Sequence, residues 1–280
     1  MPTRPFTLLD EGVTRFVSGP VYGRQALGYS PAGAMDGFSM RTGNLLLGNL
    51  PDAECLEIML LPPRLEFLVE TMIVLGGAAR EAFLISGGRR QALSHARVYR
   101  AGKGDVLALG ELQYGFRTYL CFRSGREAGI IGRVRKPFAE MAHWADRDHR
   151  IRLLRGPEYR HLGNPGMLLE GVWMVSPQSN EIGIRLVGPV LSCDIANIVS
   201  EAVSDGTMQL TPSGPIILLR HRPTLGGYPR IFNVISADVD MLAQYGPGTS
   251  LRFTEVSVHE ALAINKQKQR DLAALAAECR

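Results

Sequence analysis

The chain has 280 residues, 45% of them hydrophobic, which supports one large or two medium domains with proper cores and excludes disorder as the default. Its formal net charge is only +4, with no Lys/Arg block or aromatic-interleaved stripe, which excludes a nucleic-acid-binding track. Met1 to Val13 lacks the apolar core of a signal peptide, and no run approaches the ~20 apolar residues of a membrane span.

Cys55, Cys121, Cys193 and Cys279 are scattered without a CxxC pair, so neither a zinc knuckle nor a disulfide framework is indicated and a reducing cytosol is expected. Only four basic residues are lysines, leaving 27 arginines among 31, a skew read mainly as coding bias.

In chain order, the first distinctive element is Pro31-Ala-Gly-Ala-Met-Asp36. Asp36 stands as a helix N-cap after the flexible Gly33. Phe38, Met40, Leu45 and Leu46 follow at roughly helical spacing, and Gly48 stops the helix. Strands are then expected at Cys55–Leu61, Leu65–Val69, Met72–Leu75, Ala82–Ser86, Ala96–Arg100, Asp105–Leu109 and Phe116–Phe122, each punctuated by Gly or Pro. The Arg-rich stretch 126–150 reads as a linker between a lobe at 1–125 and a second at 151–259. Its His143 and His149, with Asp146 and Asp148 between, fit no common metal geometry and read as solvated side chains.

The second lobe shows strands at Ile151–Arg155, Val172–Val175, Ile182–Val187, Ile216–Arg220, Arg230–Ile235 and Ser250–Val258. A short helix is expected from about Ala237 to Tyr245 with Ser236 as cap, and a terminal helix over 260–280. Both lobes close with a Gly-x-Gly turn feeding a strand, at Ala101 to Leu107 and Tyr245 to Leu251. The whole reads as mainly β, two related barrel lobes in tandem with few helices.

The second distinctive segment is Arg222-Pro-Thr-Leu-Gly-Gly-Tyr-Pro229. Gly226 and Gly227 permit positive φ, which would turn successive N–H groups toward one ligand, and Arg222 supplies a fixed fork for a carboxylate or phosphate. A P-loop, a Gly-x-Ser-x-Gly elbow and a His-Glu-x-x-His helix are all absent, and no lysine has the Met-Lys-Met setting of a biotin acceptor.

Gly28 to Asn49, Ser176 to Pro189 and Thr207 to Phe253 together resemble the biotin-dependent carboxyltransferase-domain family, which includes KipA-like proteins, the C-subunit of 5-oxoprolinase and allophanate hydrolase subunit 2. The resemblance implies cyclophilin-like β-barrels and a companion of the KipI or allophanate hydrolase subunit 1 type. It implies a role in ATP-dependent opening of 5-oxoproline or another small amide; the alternatives are carboxyl transfer from partner-supplied carboxybiotin to a urea-like nitrogen, and a non-catalytic KipA-like regulator. No covalent cofactor and no metal are expected. Arg222, Thr224 and Tyr228 would then be catalytic. Gly33, Met35, Asp36, Ser179, Arg185, Gly226, Gly227 and Asp238 would line the substrate, with Arg185 pairing Asp36 or Asp238.

The chain departs from the family pattern at several polar positions. His221-Arg222-Pro223-Thr224-Leu225 stands for Asp-Arg-Gln-Thr-Thr, and Asn180-Glu181-Ile182 for Asp-Arg-Met. A Gly-Ser-Arg-Ser-Thr segment after the first lobe is missing.

Overall fold

The computed structural model describes residues 4–123 and 150–278, so the expected linker, with His143 and His149, falls almost wholly outside the described residues. The described chain forms two compact units, one of residues 4–19, 36–123 and 270–278 and the other of residues 20–35 and 150–269.

The first unit is built on β1 (Phe6–Asp10), β2 (Val13–Val17), β3 (Cys55–Met59), β4 (Arg64–Phe67), β5 (Thr71–Ser86), β6 (Arg89–Ala92), β7 (Tyr99–Ala101) and β8 (Val106–Phe122). The order is β1-β4-β8-β3-β2, and β5 pairs with β6, β7 and β8 to make a half-barrel. Two strands expected on either side of Gly76-Gly77 are one strand, β5, and two expected before and after Gly110 are one strand, β8. The glycines mark irregular pairing instead of loops: register shifts fall between Gly77 and Ala82, where Gly77 adopts φ +74°. Leu56, Leu65, Ile73, Leu75, Leu107 and Leu120 fill the interior. Full burial of each such side chain stabilises by roughly 1.5–3 kcal/mol.

Helix α1 (Gly37–Leu46) lies on this sheet, and Asp36 caps it as expected: Oδ1 accepts from Ser39 N at 2.9 Å and Oδ2 from Ser39 Oγ at 2.6 Å. Gly43 is required by close approach, since a Cβ there would lie 2.6 Å from Cys121 Sγ.

In the second unit, β9 (Arg150–Arg155), β10 (Trp173–Val175), β11 (Gly183–Val187), β13 (Thr207–Thr211), β14 (Gly214–Leu218), β16 (Arg230–Val234) and β17 (Ser250–Glu255) close into a barrel in the order β10-β11-β14-β13-β16-β9-β17. A separate two-stranded ribbon joins β12 (Glu201–Ala202) to β15 (Leu225–Gly226). Helix α2 (Pro165–Glu170) precedes β10. Helix α3 (Val239–Leu242) is shorter than expected and begins after Asp238, not after Ser236. Helix α4 (Val258–Glu278) opens with a reciprocal capping box in which Ser257 N donates to Glu260 Oε2 at 2.8 Å and Glu260 N to Ser257 Oγ at 3.2 Å.

The repeated Gly-x-Gly phrase builds the same turn twice. Asp105 N donates to Gly102 O and Thr249 N to Gly246 O, both at 3.1 Å, and the second glycines, Gly104 and Gly248, both adopt φ +83°. Each of those glycines donates its N–H at 2.8 Å to the last carbonyl of a strand, Phe67 of β4 or Val175 of β10. The register agrees as well, Leu65 opposite Leu107 in one unit and Trp173 opposite Leu251 in the other. The two units therefore share a turn-and-strand element, as a tandem arrangement of related lobes requires.

Candidate functional site

The first of the two distinctive segments is fastened in the second unit to Arg220, just beyond the end of β14 and two residues before the second segment begins. Ala32 N donates to Arg220 O at 3.1 Å and Arg220 Nε to Met35 O at 3.3 Å. The turn at Ala32 (φ +51°) and Gly33 (φ +81°) is thereby fastened two residues away from Arg222. Gly33 and Met35 are brought to this cluster, whereas Asp36 belongs to the first unit. There its backbone N donates to Tyr119 Oη at 2.8 Å, and Tyr119 donates on to Glu57 Oε2 at 2.7 Å. Burial, with the negative charges of Glu57 and Asp36, pushes the Tyr119 phenol up, so it stays a proton donor.

Arg222 is buried, and its fork serves the protein itself. Nε donates to Asp205 Oδ1 at 2.9 Å and Nη1 to Pro223 O at 3.2 Å. Arg220 donates Nη2 to Asp240 Oδ1 at 2.6 Å, and Lys268 of α4 donates Nζ to Asp240 Oδ2 at 2.7 Å and to Ala237 O at 2.7 Å. Burial pushes the Asp240 carboxyl up, but Lys268 and Arg220 outweigh it and hold the group well below the ordinary carboxylate range. Burial likewise pulls Arg220 down, and Asp240 more than offsets that. Asp205, Arg220, Asp240 and Lys268 carried no sequence motif, and their pairing across 17 to 28 positions needed the fold.

The remaining expected residues divide into internal partners and available groups. Asp238 does not pair with Arg185; it accepts from Arg152 N and Nε, both at 2.9 Å, because β9 passes beside the start of α3. Ser179 Oγ accepts from Arg185 N at 3.0 Å and so ties the β10–β11 connection. Gly226 and Gly227 do not adopt positive φ. Gly226 ends the ribbon opposite Glu201, with Gly227 just past it, and the glycine is needed because a Cβ on Gly226 would lie 2.5 Å from Gln209 Nε2. That amide donates to Tyr228 O at 3.1 Å and holds the loop in place. Tyr228 itself is 38% exposed, and Thr224 and Arg185 are half-buried; none of the three side chains has an ion-pair or hydrogen-bond partner among the described residues.

A cavity of about 540 Å3 lies in the same unit, lined by Trp173, Leu186, Pro189, Val190, Leu210 and Pro215 among others, none of them charged. It opens where β11 and β13 end and β14 begins. The Arg220 and Arg222 cluster lies at the other end of those strands, beyond Leu218 and before Thr207. Among the described residues no cluster of His, Cys, Asp and Glu is arranged to hold a metal, and no helix is long and apolar enough to cross a membrane.

The model of the carboxyltransferase domain, subdomains A and B, matches residues 27–133 and 132–255. The chain belongs to this carboxyltransferase-domain family. Within it, the C-subunit of 5-oxoprolinase from Escherichia coli is 31% identical over 298 residues, covering 92% of this chain and 93% of the relative. The C-subunit of 5-oxoprolinase from Haemophilus influenzae is 28% identical over 281 residues, covering 89% and 90%. The solved urea amidolyase of K. lactis shares the fold at a TM-score of 0.84 and 22% identity; the match covers 96% of this chain but only 20% of that one.

Proposed function

We propose that this carboxyltransferase-domain chain is part of a cytoplasmic, ATP-dependent amidohydrolase complex that opens a small cyclic or linear amide, with 5-oxoproline as the first substrate to test, beside a KipI-like companion. The observation that carries this reading is the end-to-end correspondence with the C-subunit of 5-oxoprolinase, 92% of this chain against 93% of the E. coli relative. In the urea amidolyase the corresponding region is a fifth of the whole.

Hydrolysis of a lactam puts negative charge on its carbonyl oxygen, and losing one donor to such an oxygen costs ~2.7–4 kcal/mol of barrier. Thr224 and Tyr228 are the hydroxyl donors open to that task, and Arg185 is the guanidinium open to a substrate carboxylate. Arg222 acts as a positioning residue: its bonds to Asp205 and Pro223 O fix the loop that presents Thr224 and Tyr228. In this reading Gly33 and Met35, tied down by the Arg220 bond to Met35 O, belong to the substrate side as well. Arg220 and Arg222 are paired with carboxylates and the cavity lining carries no cation. In this reading ATP is used by the assembled complex.

A second reading, a KipA-like binding protein without chemistry, is favoured by one observation: Asp36, Ser179, Arg222 and Asp238 all serve internal partners. Co-purified chain and companion, supplied with ATP and 5-oxoproline, separate the readings. Glutamate formation that falls in Thr224→Ala and Tyr228→Phe supports the hydrolase. A stable complex without turnover supports the regulator, and turnover only with urea and a carboxybiotin carrier supports carboxyl transfer.

A further inference from the structure

Four arginines are buried among the described residues, and three of them face a carboxylate: Arg117 has Glu57 at 3.9 Å, Arg220 has Asp240 at 2.6 Å and Arg222 has Asp205 at 2.9 Å. Arg80 has none. It is 3% exposed and sits in the irregular middle of β5. Its Nε donates to Thr118 Oγ1 at 3.1 Å and its Nη1 to Gly110 O at 3.1 Å, both neutral acceptors. Nη2 is buried with no acceptor among the described residues. The neighbouring carboxylate in sequence, Glu81, is exposed.

His95 adds a second orphan beside it. Arg80 N donates to His95 Nε2 at 3.4 Å, which places the ring proton on Nδ1, and Nδ1 is buried without a partner among the described residues. A buried guanidinium without a counter-charge is costly unless an acceptor is supplied, and the ring held by the same residue's backbone adds a second buried N–H in need of one. The guanidinium calls for an acceptor carrying negative charge, and the neutral imidazole N–H calls for an acceptor of any kind. Thr118 Oγ1 is already oriented by its own donation to Ala78 O at 2.9 Å, so the arginine fork is held in one pose. A planar oxyanion matches that fork better than a spherical halide does.

We propose that Arg80, supported by Thr118 and His95, binds one small carboxylate-class anion, of formate or bicarbonate size, within the first unit. The site is separate from the Arg220–Arg222 cluster and takes its charge from a residue that the proposed hydrolysis does not use. Burial also holds the Arg80 guanidinium below its ordinary value and the His95 imidazole below its own, as expected where counter-charge is lacking.

The test is thermal unfolding of the full chain in sodium formate and sodium chloride mixed at constant ionic strength, repeated with bicarbonate. The proposal predicts a saturable rise in Tm as formate replaces chloride, abolished in Arg80→Met and partly kept in Arg80→Lys. Equal Tm in all mixtures, which would mean that water fills the place, overturns it. So does an undiminished formate response in Arg80→Met. Should Arg80→Met not fold, Thr118→Val serves instead; it is expected to weaken the apparent formate affinity about tenfold through release of the fork, and unchanged affinity there overturns the proposal.

Discussion

Arg222 donates Nε to Asp205 Oδ1 at 2.9 Å with both side chains largely out of water. An arginine that looks, from its place before a Gly-Gly-Tyr-Pro run, like a substrate ligand is the anchor of the loop that carries the open hydroxyls. Removing it leaves the largely buried Asp205 carboxylate with only the long Tyr22 Oη bond at 3.5 Å and the nearby Arg220 charge, so the cost stays below the about 3–5 kcal/mol of a fully stranded buried ion. Arg222→Ala should lower the urea midpoint strongly, and Arg222→Met combined with Asp205→Leu should recover much of the loss. Urea unfolding followed by tryptophan fluorescence checks both, and an Arg222→Ala protein of unchanged stability would contradict the anchoring role.

Asp240 gives the second unit an acid limit. Lys268 and Arg220 depress its folded pKa against the upward push of burial, so the unfolded chain takes up the proton first as pH falls. The stabilisation is therefore full above the unfolded carboxyl value of about 3.9 and is lost as pH drops below it toward the folded value. The gap in unfolding free energy between wild type and Asp240→Asn should be flat from about pH 7 to 5 and should shrink below about pH 4. A gap independent of pH across that range would show that the charge on Asp240 contributes nothing.

The twin turns make matched substitutions informative. Gly104 and Gly248 share φ +83°, and a Cβ on either would meet nothing within 4 Å, so alanine is opposed by backbone conformation alone. Gly104→Ala and Gly248→Ala should each cost about 1–2 kcal/mol, by similar amounts. A large difference between the two in thermal unfolding would contradict the equivalence of the turns.

How much of this was legible in the sequence depended on range. The Asp36 cap and its helix were readable because the cap acts on Ser39, three residues on. The mainly β character was readable from short apolar runs. The chain break at Gly76-Gly77 was misread because glycine reports a departure from a regular strand without saying whether the departure is a loop or a bulge. Gly226 failed for a related reason: a glycine serves either positive φ or close approach, and only the position of Gln209 distinguishes them. Strands β1 and β2 were missed because polar residues interrupt both and most of their residues are exposed or only partly buried. The Arg220–Asp240–Lys268 network lay beyond reach, since its members sit in a loop after a strand, a four-residue helix and the terminal helix, with no spacing to link them.

Hydrolysis assayed on the assembled complex bears most directly on the central claim. With the companion, ATP and 5-oxoproline, the wild-type chain should support glutamate release. Thr224→Ala and Tyr228→Phe should each reduce kcat/KM about 100-fold or more if their hydroxyls face the developing oxyanion, with melting temperatures unchanged. Absence of glutamate from a well-folded wild-type complex, or full activity in both variants, would contradict the account.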